Sequence, residues 1–346
     1  MFKFKKLALP IILACVAIAG TFAACGDDKS TEKDTPPAAQ QEQNSTPAKK
    51  KDITDGYVNF LLQSDDTYTV SGIHTALKGE YHIPAEHDGK KVTAISNRAF
   101  EGCEELTAIA LGANVSSVGE YAFSGCTALE SVIIPRAVKS IGYNAFDGCT
   151  SVKEVYFGGS VEDWLNLSLY HNRTPDFANP LMAAGSVGGG DLYFDNTLAV
   201  DVVIPSTIKV INGYAFAGCK SIKSVKIHEA ATTIRAYAFA YCTSLESVAI
   251  GGKVSSIGAS AFYNCTALKE LTIPDSVIEI GGYSFYNCKG LETITFPKYV
   301  KTVGTYALRF NSALKTFYFT GTEEDWKKIS FAASAIDPEL QVTYLN

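Results

Sequence analysis

Residues 261–281 read AFYNCTALKELTIPDSVIEIG, and residues 284–304 read SFYNCKGLETITFPKYVKTVG. The two stretches begin at positions 261 and 284 and place Phe, Cys, Pro and Gly at matching positions. Followed outward at the same spacing, the Phe-x-x-Cys element occurs seven times and falls into two groups, whose cysteines are Cys103, Cys126, Cys149, Cys219, Cys242, Cys265 and Cys288. An internal repeat of this length is typical of a solenoid, in which each unit stacks on its neighbours.

Each unit also carries two sets of aliphatic residues. An alternating pair such as Leu271 and Ile273 has the period of a short strand with one buried face. A second pair, Val277 and Ile280 in the same unit, precedes a glycine, Gly281. One coil cannot shelter so many apolar side chains alone, so the repeat predicts a stack of 23-residue coils.

The repeat is predicted to form a single continuous solenoid over residues 57–346. Between the two cysteine groups, Val202, Ile204 and Ile211 stand one repeat length before Val225, Ile227 and Ile234, which indicates continuity through the gap. An irregular insert is expected near residues 165–190. At the start, apolar residues 60–62 and 68–70 flank Asp65-Asp66, which predicts a hairpin that caps the first coil.

The pattern A-F-x-x-C-x-x-L-x-x-I-x-I-P-x-x-V-x-x-I-G resembles the BspA-like leucine-rich repeat family of bacterial and protist surface proteins. The resemblance covers roughly residues 57–346, and the pattern is met seven times. It implies a curved, leucine-rich-repeat-like solenoid with a parallel strand ladder on one face and short helical or irregular turns on the other. It also implies exposure at the cell surface, and some members of the family are implicated in adhesion to host matrix proteins or to other microbes.

Residues 1–25 have the features of an export signal. Three lysines, Lys3, Lys5 and Lys6, precede an apolar run over residues 7–24, and the segment ends in Phe22-Ala23-Ala24-Cys25. It resembles a lipoprotein signal, which implies cleavage of residues 1–24 and lipid attachment to Cys25, although Phe22 stands where an aliphatic residue is usual. An uncleaved anchor helix and ordinary cleavage that releases a soluble protein are the alternatives. Residues 25–56 are polar and are predicted to be a flexible tether.

The charge of the chain argues against nucleic acid as a partner. The formal net charge is −6, and removal of residues 1–24, with three lysines and no acid, leaves 27 basic and 36 acidic residues, or −9. Binding to phosphates needs clustered Lys and Arg side chains, whereas the basic residues here are scattered among acids.

No sequence motif of an enzyme is found, so we predict no catalytic residue, no cofactor and no metal. The repeat cysteines lack the close pairs of a zinc site; stacked cysteines could form disulfides after export, but free, buried cysteines are favoured. His82 and His87 could meet a metal with Glu86 or Asp88, against the simpler interpretation of a solvated loop. Glycines 188–190 are interpreted as a flexible turn.

The two similar segments GSVEDW (159–164) and GTEEDW (321–326) raise a further alternative. Asp163 and Asp325 could form a catalytic pair, but their duplication favours the capping of a helical turn that begins near Trp164 and Trp326. A hydrolase with these carboxylates is therefore the third of the functional hypotheses.

The first hypothesis is a non-enzymatic adhesion or binding module at the cell surface, anchored in the membrane through the N-terminal lipid and recognising an extracellular protein or glycan. Side chains that point outward from the strands, together with the insert, would make the contacts; Ile133, Tyr156, Lys226 and Tyr318 are the ligand-contact candidates. The second hypothesis is a structural or assembly lipoprotein of the cell envelope.

Overall fold

The computed structural model describes residues 52–54, 56–169, 179 and 189–345. The predicted signal peptide, Cys25, most of the tether and most of the insert lie outside the described residues. Within the described ranges, the helices are all too short to cross a membrane.

Up to residue 198, the described part of the chain contains fourteen strands and one helix. They are β1 (Asp52–Thr54), β2 (Val58–Leu62), β3 (Tyr68–Ile73), β4 (Gly79–His82), β5 (Glu86–His87), β6 (Lys90–Ile95), β7 (Leu106–Ala110), β8 (Ser117–Val118), β9 (Ser131–Pro135), β10 (Ser140–Ile141), β11 (Glu154–Gly158), α1 (Val161–Leu165), β12 (Ser168–Leu169), β13 (Asp191–Phe194) and β14 (Thr197–Leu198).

The second half repeats the same alternation of longer and two-residue strands. Its elements are β15 (Asp201–Ile204), β16 (Val210–Ile211), β17 (Ser224–Ile227), β18 (Thr233–Ile234), β19 (Ser247–Ala249), β20 (Ser256–Ile257), β21 (Glu270–Thr272), β22 (Glu279–Ile280), β23 (Thr293–Phe296), β24 (Thr302–Val303), β25 (Thr316–Phe319), α2 (Glu323–Trp326), β26 (Ser330–Phe331) and β27 (Val342–Tyr344).

The strands form two parallel ladders along a solenoid, which confirms the predicted fold. The longer strands make the long ladder, in which Val202 pairs with Val225 of the next coil, as the sequence predicted. The two-residue strands make the short ladder, in which Ile211 pairs with Ile234. The short ladder was not predicted, because two residues are too few to show the period of a strand.

The phenylalanines of the repeat form columns inside the solenoid. Phe239 is fully buried, and its ring stacks on Phe216 at 5.4 Å and on Phe262 at 5.2 Å between ring centroids. The backbone N–H of Phe239 donates to the carbonyl O of Ala261 in the next coil at 2.8 Å. The turn that contains the repeat phenylalanine therefore contacts the same turn of the neighbouring coil in two ways. The backbone makes a hydrogen bond, and the rings stack, as aromatic pairs commonly do.

The repeat cysteines are buried beside this column, as predicted, and most of them also make a hydrogen bond. The thiol of Cys265 donates to the carbonyl O of Phe239 in the preceding coil at 3.2 Å, and Cys126, Cys149, Cys242 and Cys288 make the equivalent bond. Burial raises the pKa of Cys265 well above its ordinary value, and it raises the pKa of Cys288 to about 12. Cysteine at this position is thus small enough for the core and also donates a hydrogen bond to a buried backbone carbonyl.

We expect these cysteines to resist alkylation in the folded protein. Only the thiolate reacts, and burial together with the raised pKa suppresses it. Iodoacetamide labelling at neutral pH, read site by site by mass spectrometry, should leave Cys242 and Cys265 unmodified until denaturant is added. Labelling of both thiols in the native protein would contradict this packing.

A glycine at the end of most short-ladder strands sets the distance between coils. A Cβ added to Gly258 would lie 2.5 Å from the backbone N of Ala236 in the preceding coil, and Gly142 makes an equivalent approach to Glu120 at 2.6 Å. Real Cβ atoms essentially never come so close to backbone atoms. The glycine that closes the repeat is therefore required by the contact between neighbouring coils.

Among the residues that the structure describes, both ladders are interrupted at one place, which we call the seam. The long ladder ends at β13 and its hairpin partner β14 and restarts at β15, while the short ladder ends at β12 and restarts at β16. We refer to residues 56–198 as the first stack and to residues 201–345 as the second stack. One buried apolar cluster nevertheless extends through both stacks.

At the seam, side chains of residues 164 and 179 donate hydrogen bonds to backbone carbonyls of the second stack. The indole Nε1 of Trp164 donates to the carbonyl O of Ala215 at 2.7 Å, and the Nδ2 of Asn179 donates to that of Tyr214 at 2.7 Å. Gly189 was expected in a flexible turn, but a Cβ there would overlap the carbonyl O of Gly218, so it marks a close backbone approach.

Near the N-terminal end of the first stack, β2 and β3 form an antiparallel hairpin with Phe60 opposite Val70. Strand β1 lies inside the segment predicted as tether and pairs with β2, with Ile53 opposite Phe60. The prediction of a solvated loop around His87 is wrong, because β5 pairs with β6 and the imidazole stacks on Phe60 with ring centroids 4.0 Å apart.

Candidate ligand-binding surface

The outward face of the long ladder differs between the two stacks. In the first stack, one row of outward positions reads Ala110, Ile133, Tyr156 and Tyr193 on successive strands and ends at Leu198 of β14. We call it the apolar row. The corresponding row in the second stack contains mainly Lys, Ala and Thr. An extended apolar strip on a solvent-facing surface is a feature of interaction sites.

The two tyrosines of the apolar row form a rigid pair. The rings of Tyr156 and Tyr193 stack at 4.4 Å between centroids with 17° between their planes, and the hydroxyl of Tyr156 donates to the carboxylate of Glu154 at 2.9 Å. Burial raises the pKa of Tyr156, and its hydrogen bond to Glu154 raises it further. Both rings are held in place before any ligand arrives.

A second row of outward positions lies two residues earlier on the same strands, and it carries carboxylates on β11 and β13. Glu154 of β11 stands directly opposite Asp191 of β13, and both side chains are partly exposed. Like charges directly opposite each other on neighbouring strands destabilise a sheet. We call this pair the acidic row.

A groove of about 250 Å³ opens where the apolar row meets the ends of the strands. Its floor contains Ala110, Ile133 and Tyr156, and the turn Asp195-Asn196 stands at one side. Both turn residues have a positive φ, 44° for Asp195 and 66° for Asn196, as in the type I′ turn that suits a two-residue hairpin. The small residue Gly158 at the end of β11 leaves the groove open.

Arg136 is the basic residue at the rim of the groove, and helix α1 fixes it. Its Nε lies 3.2 Å from the Oδ2 of Asp163. The same carboxylate accepts the N–H and the hydroxyl of Ser160 at 3.0 and 2.7 Å, which closes a capping box at the start of α1. These hydrogen bonds lower the pKa of Asp163, the backbone bond from Ser160 most of all.

Asp163 and Asp325 therefore cap helices, as the sequence favoured. Asp325 makes the same capping box with Thr322, and hydrogen bonds from Lys328 and Thr322 lower its pKa to about 2. The helices begin at Val161 and Glu323, so each tryptophan lies near the end of its helix and not near its beginning.

We expect Asp163→Asn to lower the free energy of unfolding by about 1 kcal/mol at neutral pH, because charged hydrogen bonds are lost. Since folding lowers the pKa of Asp163, its contribution is present above the unfolded value near 3.9 and is lost as the pH falls below it. Urea denaturation at neutral pH and at about pH 3 should show the difference from wild type shrinking in acid. Glu162→Gln on the same helix is the control, and an equal effect of both changes would contradict the capping role.

The structure separates the four ligand-contact candidates. Ile133 and Tyr156 lie side by side in the groove, in register across β9 and β11. Lys226 is exposed on β17, and Tyr318 is partly exposed on β25 of the second stack. All four face outward as expected, whereas their contact with a ligand stays a prediction.

Other residues of the surface escaped the sequence analysis. Tyr193 and Asp195 follow the insert, where the repeat gives no register, and only the Asp-Asn hairpin signal could have indicated them. Arg136 reaches the groove through its contact with Asp163, which no repeat pattern reveals. Of the insert, residues 165–169 belong to α1 and the regular coil, and buried Asn179 belongs to the seam. In the described part of the chain, no His, Cys, Asp or Glu residues cluster in a way that could hold a metal ion.

Comparison with known proteins supports the architecture. The model of the BspA type leucine rich repeat region, in six copies, matches residues 86–173, 190–315 and 232–338. No curated protein matches the chain. A leucine rich cell surface protein from Faecalibacterium prausnitzii is 19% identical, with 83% of this chain and 99% of that chain covered and a TM-score of 0.44.

Two further solved structures are similar. A leucine-rich repeat protein from Bacteroides ovatus is 22% identical, with 85% of this chain and 90% of that chain covered and a TM-score of 0.43. The pneumococcal vaccine antigen PcpA is 16% identical, with 85% and 93% covered and a TM-score of 0.49. Because the family model matches more than half of the chain, this protein belongs to the BspA-type leucine-rich repeat family.

Proposed function

We propose that this protein is a non-enzymatic binding module of the cell surface, which recognises an extracellular ligand on the outward face of its first stack. The observation that carries the proposal is the groove with its floor of Ile133 and Tyr156, beside the stacked pair Tyr156 and Tyr193. Pre-ordered aromatic side chains provide contact area at a low entropy cost. Membership of the family and the export signal in the sequence support the same role.

The binding role is tested with the full-length protein in detergent micelles on an array of host matrix proteins, mucins and surface extracts of neighbouring cells. Tyr156→Ala should weaken capture of any specific ligand at least about tenfold, as expected for a central aromatic contact. Tyr299→Ala is the control, because Tyr299 is an exposed tyrosine of the second stack that lies outside the groove. Failure of the protein to bind any array component, or equal loss in both variants, would count against the proposal.

Lipid anchoring through Cys25 and exposure at the cell surface belong to the same proposal. Protease shaving of intact cells should remove the protein, and Cys25→Ala should abolish its recovery in the membrane fraction. Full protection from protease would favour instead the envelope scaffold, since such a protein faces inward.

A further inference from the structure

We infer that the groove and the acidic row together bind an extended segment of a partner protein that carries one large apolar side chain and, two residues away, a lysine or arginine. The inference rests on the proposed binding function and specifies the chemistry of its ligand. It follows from the size of the groove, the stacking of the two tyrosine rings and two neighbouring carboxylates that form no ion pair with a described residue.

The groove is sized for a side chain. Its volume of about 250 Å³ lies below the range of about 300–1,000 Å³ found for small-molecule pockets. Its floor is aliphatic and aromatic, with Ala110, Ile133 and Tyr156 in register across three strands. A pocket of this kind in an exposed sheet suits the insertion of one large apolar anchor, which is how central contacts of protein interfaces are commonly built.

The same row offers little to a glycan. Sugar rings bind proteins by stacking on a free aromatic face, but Tyr156 is flanked by Ile133 and by the ring of Tyr193. Tyr193 in turn has Leu198 as its cross-strand neighbour on the other side. The stacked rings cover one face of each other, so the two tyrosines offer less free aromatic face to a sugar than two separate rings would.

The acidic row supplies charge complementarity. Glu154 and Asp191 face each other across β11 and β13, and neither carboxylate has an ion pair with a residue that the structure describes. Lys153 and Lys220 line the same surface depression as Asp191, and the ammonium group of Lys153 is paired with Glu130 at 2.5 Å. A cationic side chain placed between the two carboxylates would relieve their repulsion, because it attracts both of them.

The distance between the acidic row and the apolar row determines how far apart the basic and the apolar side chain of the ligand should be. On β11 and β13, the acidic row lies two residues before Tyr156 and Tyr193, a separation of about 6.6–6.8 Å along each strand. Side chains two residues apart on one face of an extended peptide have the same separation. The basic and the apolar residue of the partner should therefore be separated by a single residue.

The test measures binding of short fluorescent Ser/Thr peptides to the full-length protein in detergent micelles. One peptide carries Phe and Arg separated by one residue, and the second carries Glu in place of Arg. We expect the Arg peptide to bind about tenfold more tightly, from two partly exposed ion pairs gained and two repulsions avoided. At about 1 M salt, where the Debye length is about 3 Å, most of this preference should disappear.

Variants of the protein test whether the acidic row causes the preference for the Arg peptide and whether the apolar row is needed for binding of either peptide. The double variant Glu154→Gln, Asp191→Asn should bind the Arg and the Glu peptide equally, whereas Tyr156→Ala should weaken both. Glu270→Gln, a change at the same outward position in the second stack, is the matched control and should leave the preference unchanged.

The outcomes separate this inference from the proposed function. No binding of the Arg peptide, or equal binding of both peptides by the wild-type protein, overturns the inference. Binding of a neutral oligosaccharide that depends on Tyr156 also overturns it, but leaves the proposed function standing. If neither the peptides nor the array yields a ligand, both the inference and the proposed function fall.

Discussion

Replacement of Phe239 by alanine is expected to lower the free energy of unfolding by about 4 kcal/mol, the usual cost of removing a fully buried Phe side chain. The ring is inaccessible to solvent and stacks on Phe216 and on Phe262. Its loss therefore weakens two interfaces between coils, and the stability of a solenoid depends on such nearest-neighbour contacts. Chemical denaturation followed by circular dichroism measures the effect.

Phe310→Ala is the matched control for this prediction. Phe310 follows the terminal Leu308 in the corresponding turn, but it is 53% exposed and contacts mainly Tyr286 and Arg309. Its replacement should change the free energy of unfolding by about 0.5 kcal/mol at most. If both changes lower the free energy of unfolding equally, the buried column of phenylalanines contributes no more to stability than an exposed ring does.

Replacement of Gly258 by alanine is the second change with a large expected effect, about 3 kcal/mol of destabilisation, because overpacking of a close contact commonly costs about 1–3 kcal/mol. A new Cβ would lie 2.5 Å from the N of Ala236 and 2.6 Å from the carbonyl C of Arg235, and neither backbone atom can move without displacing the preceding coil. The measurement is again denaturant unfolding, with hydrogen exchange to locate the weakened coils.

Gly72→Ala is the control, because it replaces a glycine by alanine at a position without a close contact. The nearest atom to a Cβ added at Gly72 is the carbonyl O of Ala99 at 4.0 Å, an ordinary contact. Because alanine also reduces the entropy of the unfolded chain, this variant should be as stable as wild type or slightly more stable. Wild-type stability of Gly258→Ala would show that the coils tolerate a wider separation than the structure indicates.

The sequence predicted the coil well because its strongest signals repeat. Phe239 and Cys242 recur in register, and alternating pairs such as Leu271 and Ile273 locate the long ladder. The pairing of Val202 with Val225 was predicted although the cysteine is missing from that region. Each of these residue patterns lies within one repeat unit, and the stacking of the coils places it next to the same pattern of the neighbouring unit.

The features that the sequence did not predict depend on contacts between distant residues. The hydrogen bond from Cys265 to Phe239 links adjacent coils through a carbonyl, which a pattern of side chains does not show. The groove combines residues of β9 and β11 with the turn Asp195-Asn196 beyond the insert. The alternation of residues along a strand predicts that Ile133 and Tyr156 point outward, and it predicts the same for Lys226. Only the structure shows that Ile133 and Tyr156 lie together in one groove and that Lys226 does not.

The seam is held together differently from the contacts between coils inside a stack. Inside a stack, backbone hydrogen bonds of the ladders connect equivalent positions of neighbouring coils. Extra residues are confined to the turns, since α1 and α2 each lie between strands that pair at an offset of 28 residues, Ser140 with Ser168 and Thr302 with Ser330. At the seam, the side chains of Trp164 and Asn179 donate to backbone carbonyls of the second stack. The connection between the two stacks therefore depends in part on the identity of a few side chains, whereas the connection between two coils of a stack can be made by the backbone of any residue that fits.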